Sequence, residues 1–372
     1  MEKNQLKIII SGGGTGGHIF PAISIANALK EINPEVEILF VGAEGKMEME
    51  RVPKAGYNIV GLPVVGFQRK LTLKNVSFFF KLFKSMRMAR KIIADFKPAV
   101  VVGVGGYASG PILKAAQKAN IPTLIQEQNS YAGVTNKMLA AKAYKICVAY
   151  DGMEKYFPKD RILMTGNPVR QDLEKLTATK EEALKYFDIN PNQKVILVLG
   201  GSLGARTINQ SIMANMTELV THHDITVIWQ TGKIYYLDIK QQLAGYNAHN
   251  IRLFDFINRM DFAYAAADVI ISRAGAGTIS ELCLVAKPSI LVPSPNVAED
   301  HQTHNAMALV KNNAAVMVTD ANAKLELVNT AIALVSDNAK LKDLSANILK
   351  MALPNSANII ANEVLKIISE LK

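Results

Sequence analysis

Four short segments carry residue types able to hold a phosphorylated ligand: Gly12–His18 (GGGTGGH), Gly103–Pro111 (GVGGYASGP), Gly200–Arg206 (GGSLGAR) and Arg273–Glu281 (RAGAGTISE). Glycine reaches positive φ and lets a ligand approach peptide N–H groups. A helix starting after such a turn adds unpaired donors and a partial positive charge. Phosphate or pyrophosphate suits loops of this kind. Ionisable side chains stand beside them. His18 closes the first turn, where neutral imidazole can serve as a base near neutral pH. Glu281 closes the fourth, where a carboxylate can accept two hydrogen bonds from a ribose diol. Glu127, at the end of an apolar run, is a second carboxylate suited to proton transfer. Gln302 and Asn305, in the polar stretch PSPNVAEDHQTHN, are amides suited to a sugar or phosphate.

Other chemistries fit less well. Gly12, Gly14 and Gly17 satisfy G-x-G-x-x-G, the fingerprint of dinucleotide-dependent oxidoreductases. The second strand, however, ends ILFVGAEG, which puts Gly42 where the ribose-binding acid belongs, with Glu44 two residues late. Kinase-type G-x-x-x-x-G-K-[ST] is absent, and so is the Asp-x-Asp pair that clamps a metal on a nucleotide diphosphate. His222 and His223 are adjacent and diverge, while His249, His301 and His304 lack a cysteine or acidic set at ligand spacing. Cys147 and Cys283 lie in apolar runs and read as small buried hydrophobes. Chemistry without metal or cofactor is expected.

The turns must be positioned by the elements around them, and these alternate. Strands are expected at Leu6–Ser11, Val36–Val41, Ala99–Val104, Thr123–Glu127, Lys145–Ala149, Lys194–Leu199, Thr226–Gln230, Ile251–Phe254, Val269–Ser272 and Ser289–Val292, with helical segments between most of them. Unbroken apolar strands with crossover helices predict parallel sheets covered on both faces, an α/β architecture. KIIISGGGTGGH at residue 7 and KVILVLGGSLGAR at residue 194 repeat one device, a buried strand feeding a glycine turn and a helix. Such a unit opens a doubly wound domain, so two Rossmann-like domains in tandem are expected. The joint falls near TGNPVR at 165–170, giving domains 1–165 and 166–350 and a closing helical segment, 351–372, able to pack back on the first.

Composition agrees with two packed cores: 372 residues, 49% apolar and 20% charged, exclude a disordered or collagen-like chain. The formal charge of +10 is unevenly placed. Residues 1–170 hold 24 Lys and Arg against 12 Asp and Glu, leaving 18 against 20 for the remainder. Nine bases fall between Arg69 and Lys97, against the single acid Asp95. On a helix, Phe79, Leu82, Phe83, Met86 and Ile93 fall largely to one side with Lys81, Lys84, Arg87 and Lys91 around the flanks. That pattern predicts contact with an anionic membrane surface. No recognition motif for nucleic acid accompanies it, and no apolar stretch is long enough to span a bilayer.

Taken together, GGGTGGHIFPA at 12–22, GVGGYASGP at 103–111, EQNSYAGVTNK at 127–137, TGNPVR at 165–170, GGSLGARTIN at 200–209 and SRAGAGTISEL at 272–282 closely resemble the motifs of the MurG family. These are peptidoglycan N-acetylglucosaminyltransferases. The motifs run in family order through nearly the whole chain. The resemblance implies a GT-B fold, two Rossmann-like domains with a cleft between them. It implies an inverting transfer of GlcNAc from UDP-GlcNAc to the 4-hydroxyl of MurNAc in undecaprenyl-pyrophosphoryl-MurNAc-pentapeptide (lipid I), at the cytoplasmic face of the inner membrane. Carried onto this sequence, it places Thr15, Gly16 and Gly17 near the donor sugar and Asn129 at its hydroxyls. Arg170 and Ser202 fall at the diphosphate, Ile257 at the uracil through its backbone, Glu281 at the ribose, Gln302 near the sugar or phosphate, and Ala276, Gly277 and Thr278 elsewhere along UDP-GlcNAc. His18 becomes the general base, with Glu127 second. Gly14, Gly105, Gly106 and Tyr107 are expected at the acceptor pyrophosphate, and Phe79, Lys81, Leu82, Phe83 and Lys84 at the membrane. Expected partners are UDP-GlcNAc, lipid I, the membrane and proteins of cell-wall synthesis, with no nucleic acid. A transferase with another lipid acceptor and a non-catalytic nucleotide-sugar-binding protein are the alternatives.

Overall fold

In a parallel sheet buried on both faces, successive side chains enter different layers, so every position of a strand must be apolar. The strand β1 (Lys7–Gly12) meets that demand: Ile8 and Ile10 join one core, Ile9 the other, and none is exposed to solvent. The computed structural model describes residues 6–64, 74–169, 173, 177–201 and 203–371. The chain forms two compact units, Met1–Arg170 with Leu353–Lys372, and Gln171–Ala352.

In the first unit β1 is joined by β2 (Glu37–Ala43), β3 (Asn58–Leu62), β4 (Val100–Gly105), β5 (Thr123–Glu127), β6 (Lys145–Val148) and β7 (Ile162–Met164). All pair in parallel, in the order β3-β2-β1-β4-β5-β6-β7. The second unit holds β8 (Lys194–Leu199), β9 (Ile225–Gln230), β10 (Ile251–Phe254), β11 (Val269–Ser272), β12 (Ser289–Leu291) and β13 (Val316–Met317). Their order is β10-β9-β8-β11-β12-β13, again parallel. Both are doubly wound: the chain steps outward in one direction, then returns to the centre and builds the other half. The reversal falls between β1 and β4 and between β8 and β11, where connections diverge and a crevice opens at the strand ends. Each of the four glycine turns leaves one of these four strands.

The helix Ser356–Glu370 completes the first unit. Its Ile360, Val364 and Ile367 are fully buried in the same core as Ile19, Ile25 and Leu29 of the helix Gly16–Ile32. Gly166 makes this return possible. It has φ +79°, and a Cβ there would stand 2.5 Å from Ser356 Oγ and 2.6 Å from Leu353 Cβ.

Three strands escape the apolar-run criterion: β3, β7 and β13. They are short and lie toward or at sheet edges, where one side is wet and no continuous apolar run is required. The helix Lys74–Phe96 also corrects its expected face. Ile93 and Ala89 dock into the core, whereas Phe80, Leu82 and Phe83, nearer the start of the helix, are exposed, so the apolar side expected from the pattern meets the core only along its later part.

Cys147 and Cys283 are both buried, and burial pushes each thiol up to about 12. With almost no thiolate near pH 8, neither should react with iodoacetamide in the native protein, while both should be alkylated in denaturant. Mass spectrometry reads the outcome, and native-state labelling of either cysteine would contradict this packing.

Candidate active site

The first glycine turn and the turn after β4 meet backbone to backbone. A Cβ on Gly106, whose φ is +87°, would stand 2.3 Å from the Gly13 carbonyl oxygen; one on Gly105, φ +100°, would stand 2.7 Å from His18 Cδ2 and 2.8 Å from Nε2. His18 is therefore wedged against β4's end at the start of the helix Gly16–Ile32. Its Nδ1 lies 3.0 Å from Gly13 O and 3.3 Å from Thr15 Oγ1. A carbonyl oxygen can only accept, so Nδ1 carries the proton and Nε2 keeps the basic lone pair. At the head of that helix the first N–H groups, those of Gly16 and Gly17, have no partner within the helix by geometry.

Gly14 is expected at the acceptor pyrophosphate by its motif, and its backbone N–H is engaged within the protein, donating to Glu48 Oε2 at 3.0 Å. Glu48 is completely buried, and its Oε1 accepts from Ala43 N–H, also at 3.0 Å. Tyr107, in the neighbouring turn, is 58% exposed.

Glu127 ends β5, and its carboxylate is saturated. Oε1 accepts from Asn129 N–H at 3.1 Å and Asn129 Nδ2 at 3.3 Å; Oε2 accepts from Gly133 N–H at 3.0 Å and Asn136 Nδ2 at 2.8 Å. It is 2% exposed. This arrangement anchors the loop 128–136 and the helix Val134–Ala140 and leaves the carboxylate poorly placed to take a substrate proton. Both Asn129 nitrogens donate to Glu127, which fixes the orientation of its amide. Behind the loop runs a buried amide chain. Gln126 Nε2 donates to Asn167 Oδ1 at 2.9 Å, Asn167 Nδ2 to Gln128 O at 3.0 Å, and Gln128 Nε2 to Val104 O at 2.6 Å and to Gln126 Oε1. It ties TGNPVR to the strand end that presents Gly105.

In the second unit the same backbone contact recurs between different strands. A Cβ on Gly204 would stand 2.1 Å from Thr231 O, and one on Gly232 2.4 Å from Gly204 N. Gln230 spans the gap, donating from Nε2 to Gly201 O at 3.1 Å and accepting Ile257 N–H at 2.8 Å. The Ile257 N–H is thus engaged, and its carbonyl is the backbone group that can face a base. Two helices begin at the strand ends, Arg206–Ala214 and Ala276–Leu284; the second presents Ala276, Gly277 and Thr278 in its first turn. Glu281, on that helix, receives a 2.8 Å hydrogen bond to Oε2 from the hydroxyl of fully buried Tyr264. Arg273 donates to Asp320 and to the carbonyls of Val292 and Pro293, tying the fourth turn to the strand that follows. Gln302 Oε1 accepts Ser294 N–H at 2.9 Å, so Nε2 is its donor end for a ligand. Just before it, Glu299 and Asp300 hold φ of +57° and +51°, two non-glycine residues in the left-handed region at the entry to the helix His301–Val310. Arg170 and Ser202 lie outside the described residues, as does the side chain of Phe79. On the helix that carries Phe79, Phe80 and Phe83 are 74% and 72% exposed, and Lys81 and Lys84 are exposed beside them.

Residues 8–148 match the glycosyltransferase family 28 N-terminal domain and residues 195–360 its C-terminal domain. The chain belongs to glycosyltransferase family 28. Among family relatives, the UDP-N-acetylglucosamine--N-acetylmuramyl-(pentapeptide) pyrophosphoryl-undecaprenol N-acetylglucosamine transferase of Bacteroides thetaiotaomicron is 60% identical over 99% of both chains. That of Phocaeicola vulgatus is 62% identical over 99% of this chain and 97% of its own. The crystal structure of Acinetobacter baumannii MurG superposes with a TM-score of 0.79 at 27% identity, covering 97% of this chain and 99% of that one.

Several side chains beside these turns are not singled out by the motifs, although Gln128 and Asn167 fall within them. Glu48, Gln126, Gln128, Asn167, Gln230 and Tyr264 lie outside the glycine turns, and what singles them out is burial. A polar side chain with no access to water must be paired, and here each pair ties one turn to another. The one available signal was an unexplained polar residue within an apolar strand, as at Gln126 and Gln230.

Gly106→Ala tests the close approach. A methyl group at φ +87° and 2.3 Å from Gly13 O must separate the two turns. Displacement of about 1 Å in a reacting group costs on the order of 10²-fold in rate, and a loss of that order in kcat is expected, with nucleotide-sugar affinity nearly unchanged. Kinetics with calorimetry measures both; wild-type turnover would refute the tight contact.

Proposed function

We propose that this family 28 enzyme moves N-acetylglucosamine from UDP-N-acetylglucosamine to the 4-hydroxyl of the N-acetylmuramyl sugar of the pyrophosphoryl-undecaprenol pentapeptide acceptor. The product is lipid II, a precursor of peptidoglycan. Identity of about 60% over essentially the whole chain to relatives bearing that activity in their names carries the reading.

The residues divide the work by chemistry. The second unit suits the donor. Glu281, oriented by Tyr264, accepts from the ribose diol. The first turns of Arg206–Ala214 and Ala276–Leu284 offer N–H groups and the positive ends of two helices to the diphosphate. Arg170 and Ser202 are assigned to the same diphosphate by their motifs, Ile257 to the uracil, and Gln302 to the sugar or phosphate. The first unit suits the acceptor. His18 Nε2 takes the proton as the acceptor's 4-oxygen attacks the anomeric carbon; the bond from that carbon to the phosphate oxygen breaks on the opposite face, and UDP leaves with the electron pair. Thr15 keeps His18 in place, while Gly105, Gly106 and Tyr107 border the acceptor's path. Glu127 is assigned a positioning role, holding Asn129 toward the sugar.

His18→Ala is expected to lose most turnover while still binding UDP-N-acetylglucosamine. The assay supplies that donor and a soluble acceptor analogue, with UDP-N-acetylgalactosamine and UDP-glucose as controls. Near-normal turnover eliminates His18 as base, and equal use of the control donors eliminates the stated specificity.

The acceptor's polyprenyl chain requires contact with a bilayer. Among the described residues no helix is long and apolar enough to cross one. Phe80 and Phe83, three residues apart and so on one face of their helix, insert beside Lys81, Leu82 and Lys84, in the manner of a peripheral protein. Binding to vesicles should rise with anionic lipid, fall with salt, and weaken in a Phe80→Ser, Phe83→Ser variant. Indifference to all three removes this surface from consideration.

A further inference from the structure

Glu48 is the one buried carboxylate among the described residues that touches the first glycine turn. It is 0% exposed, a costly place for such a group unless its oxygens are satisfied. They are, and by backbone alone: Oε2 takes Gly14 N–H and Oε1 takes Ala43 N–H, each at 3.0 Å. Room is made for it on two sides. A Cβ on Gly13 would stand 2.1 Å from Oε1, and one on Gly42 2.6 Å from Cγ. Gly42 thereby gains a purpose. At the position where dinucleotide enzymes carry a ribose-binding acid, this chain has a glycine, which clears space for a carboxylate directed inward at the loop.

Gly13 has two neighbours of consequence. Its peptide lies against Glu48, and its carbonyl oxygen is the 3.0 Å partner of His18 Nδ1. The Glu48 bond to Gly14 fixes the peptide plane between Gly13 and Gly14, which contains that same carbonyl and the Gly14 N–H on opposite sides. Holding the N–H toward Glu48 therefore points the carbonyl away from it, toward the imidazole. We propose that Glu48 is a positioning residue for the transfer: through the Gly13–Gly14 peptide it holds His18 in the tautomer that leaves Nε2 as proton acceptor. The proposal rests on the reading of His18 as base.

A Glu48→Gln variant keeps the shape but offers one uncharged carbonyl oxygen to the two N–H donors of Gly14 and Ala43, which weakens its hold on the Gly13–Gly14 peptide. Steady-state kinetics of the full chain should show kcat lowered about tenfold or more, part of the roughly 10²–10⁴ that a general base contributes, with KM for UDP-N-acetylglucosamine within about twofold. In a His18→Ala background the same substitution should change kcat by less than about twofold, since the group it acts through is gone. An equal loss in both backgrounds would overturn the proposal while leaving His18 as base untouched; unimpaired turnover in His18→Ala alone would instead remove the underlying reading. Should Glu48→Gln fail to fold, nitrogen-15 NMR of histidine-labelled wild-type enzyme decides. A protonated Nδ1 on neutral His18 supports the proposal, and a protonated Nε2 overturns it.

Discussion

At the carboxyl edge of each sheet, two stretches of backbone touch where no β-carbon fits between them. In the first unit the contact joins Gly13 to Gly106, and in the second Gly204 to Thr231 and Gly232. The constraint comes from topology. In the first unit the contact falls where the strand order reverses, between the turns after β1 and β4; in the second it joins the turns after the neighbouring strands β8 and β9, and in both only chain lacking side chains closes over the strand ends.

Close-packed peptides create a second demand, because every buried N–H and C=O must find a partner. The chain answers with side chains that work inward. Glu48 serves the first turn, Glu127 the loop at 128–136, Gln230 the turns of the second unit, and Arg273 with Asp320 the turn at 273–281. This explains why the two buried carboxylates of the first unit differ in kind from Glu281. Backbone and amide donors surround Glu48 and Glu127, whereas Glu281 accepts from the Tyr264 phenol and sits only partly buried on a helix at the strand ends. Among the groups gathered around the first turn, the imidazole of His18 is the one whose ordinary chemistry is proton exchange near neutral pH.

Charge is distributed to match. The excess of 12 positive charges within residues 1–170 belongs to the unit whose long helix exposes Phe80 and Phe83, while the remainder of the chain is slightly acidic. That helix is firmly seated at its other end through Ala89 and Ile93, and the first unit is closed from behind by Ser356–Glu370, which returns to cover the helix Gly16–Ile32. Core packing thus steadies the helix that bears the glycine turn.

Much of this was legible without coordinates. Ten of the strands, both glycine-turn repeats and the α/β class follow from short, mainly apolar runs alternating with helical segments, since a strand buried on two faces has little alternative composition. The family resemblance follows from six motifs in order, and the ionisable residues beside the turns are plain in the sequence. Short edge strands such as β7 and β13 left no such trace, because an element of two or three residues with one wet side needs no distinctive pattern. Nor did the roles of Glu48, Glu127 and Gln230. Local sequence specifies what a backbone turn can be; whether a polar side chain thirty residues away is buried against it is decided by which strands become neighbours, and that is a property of the folded sheet alone.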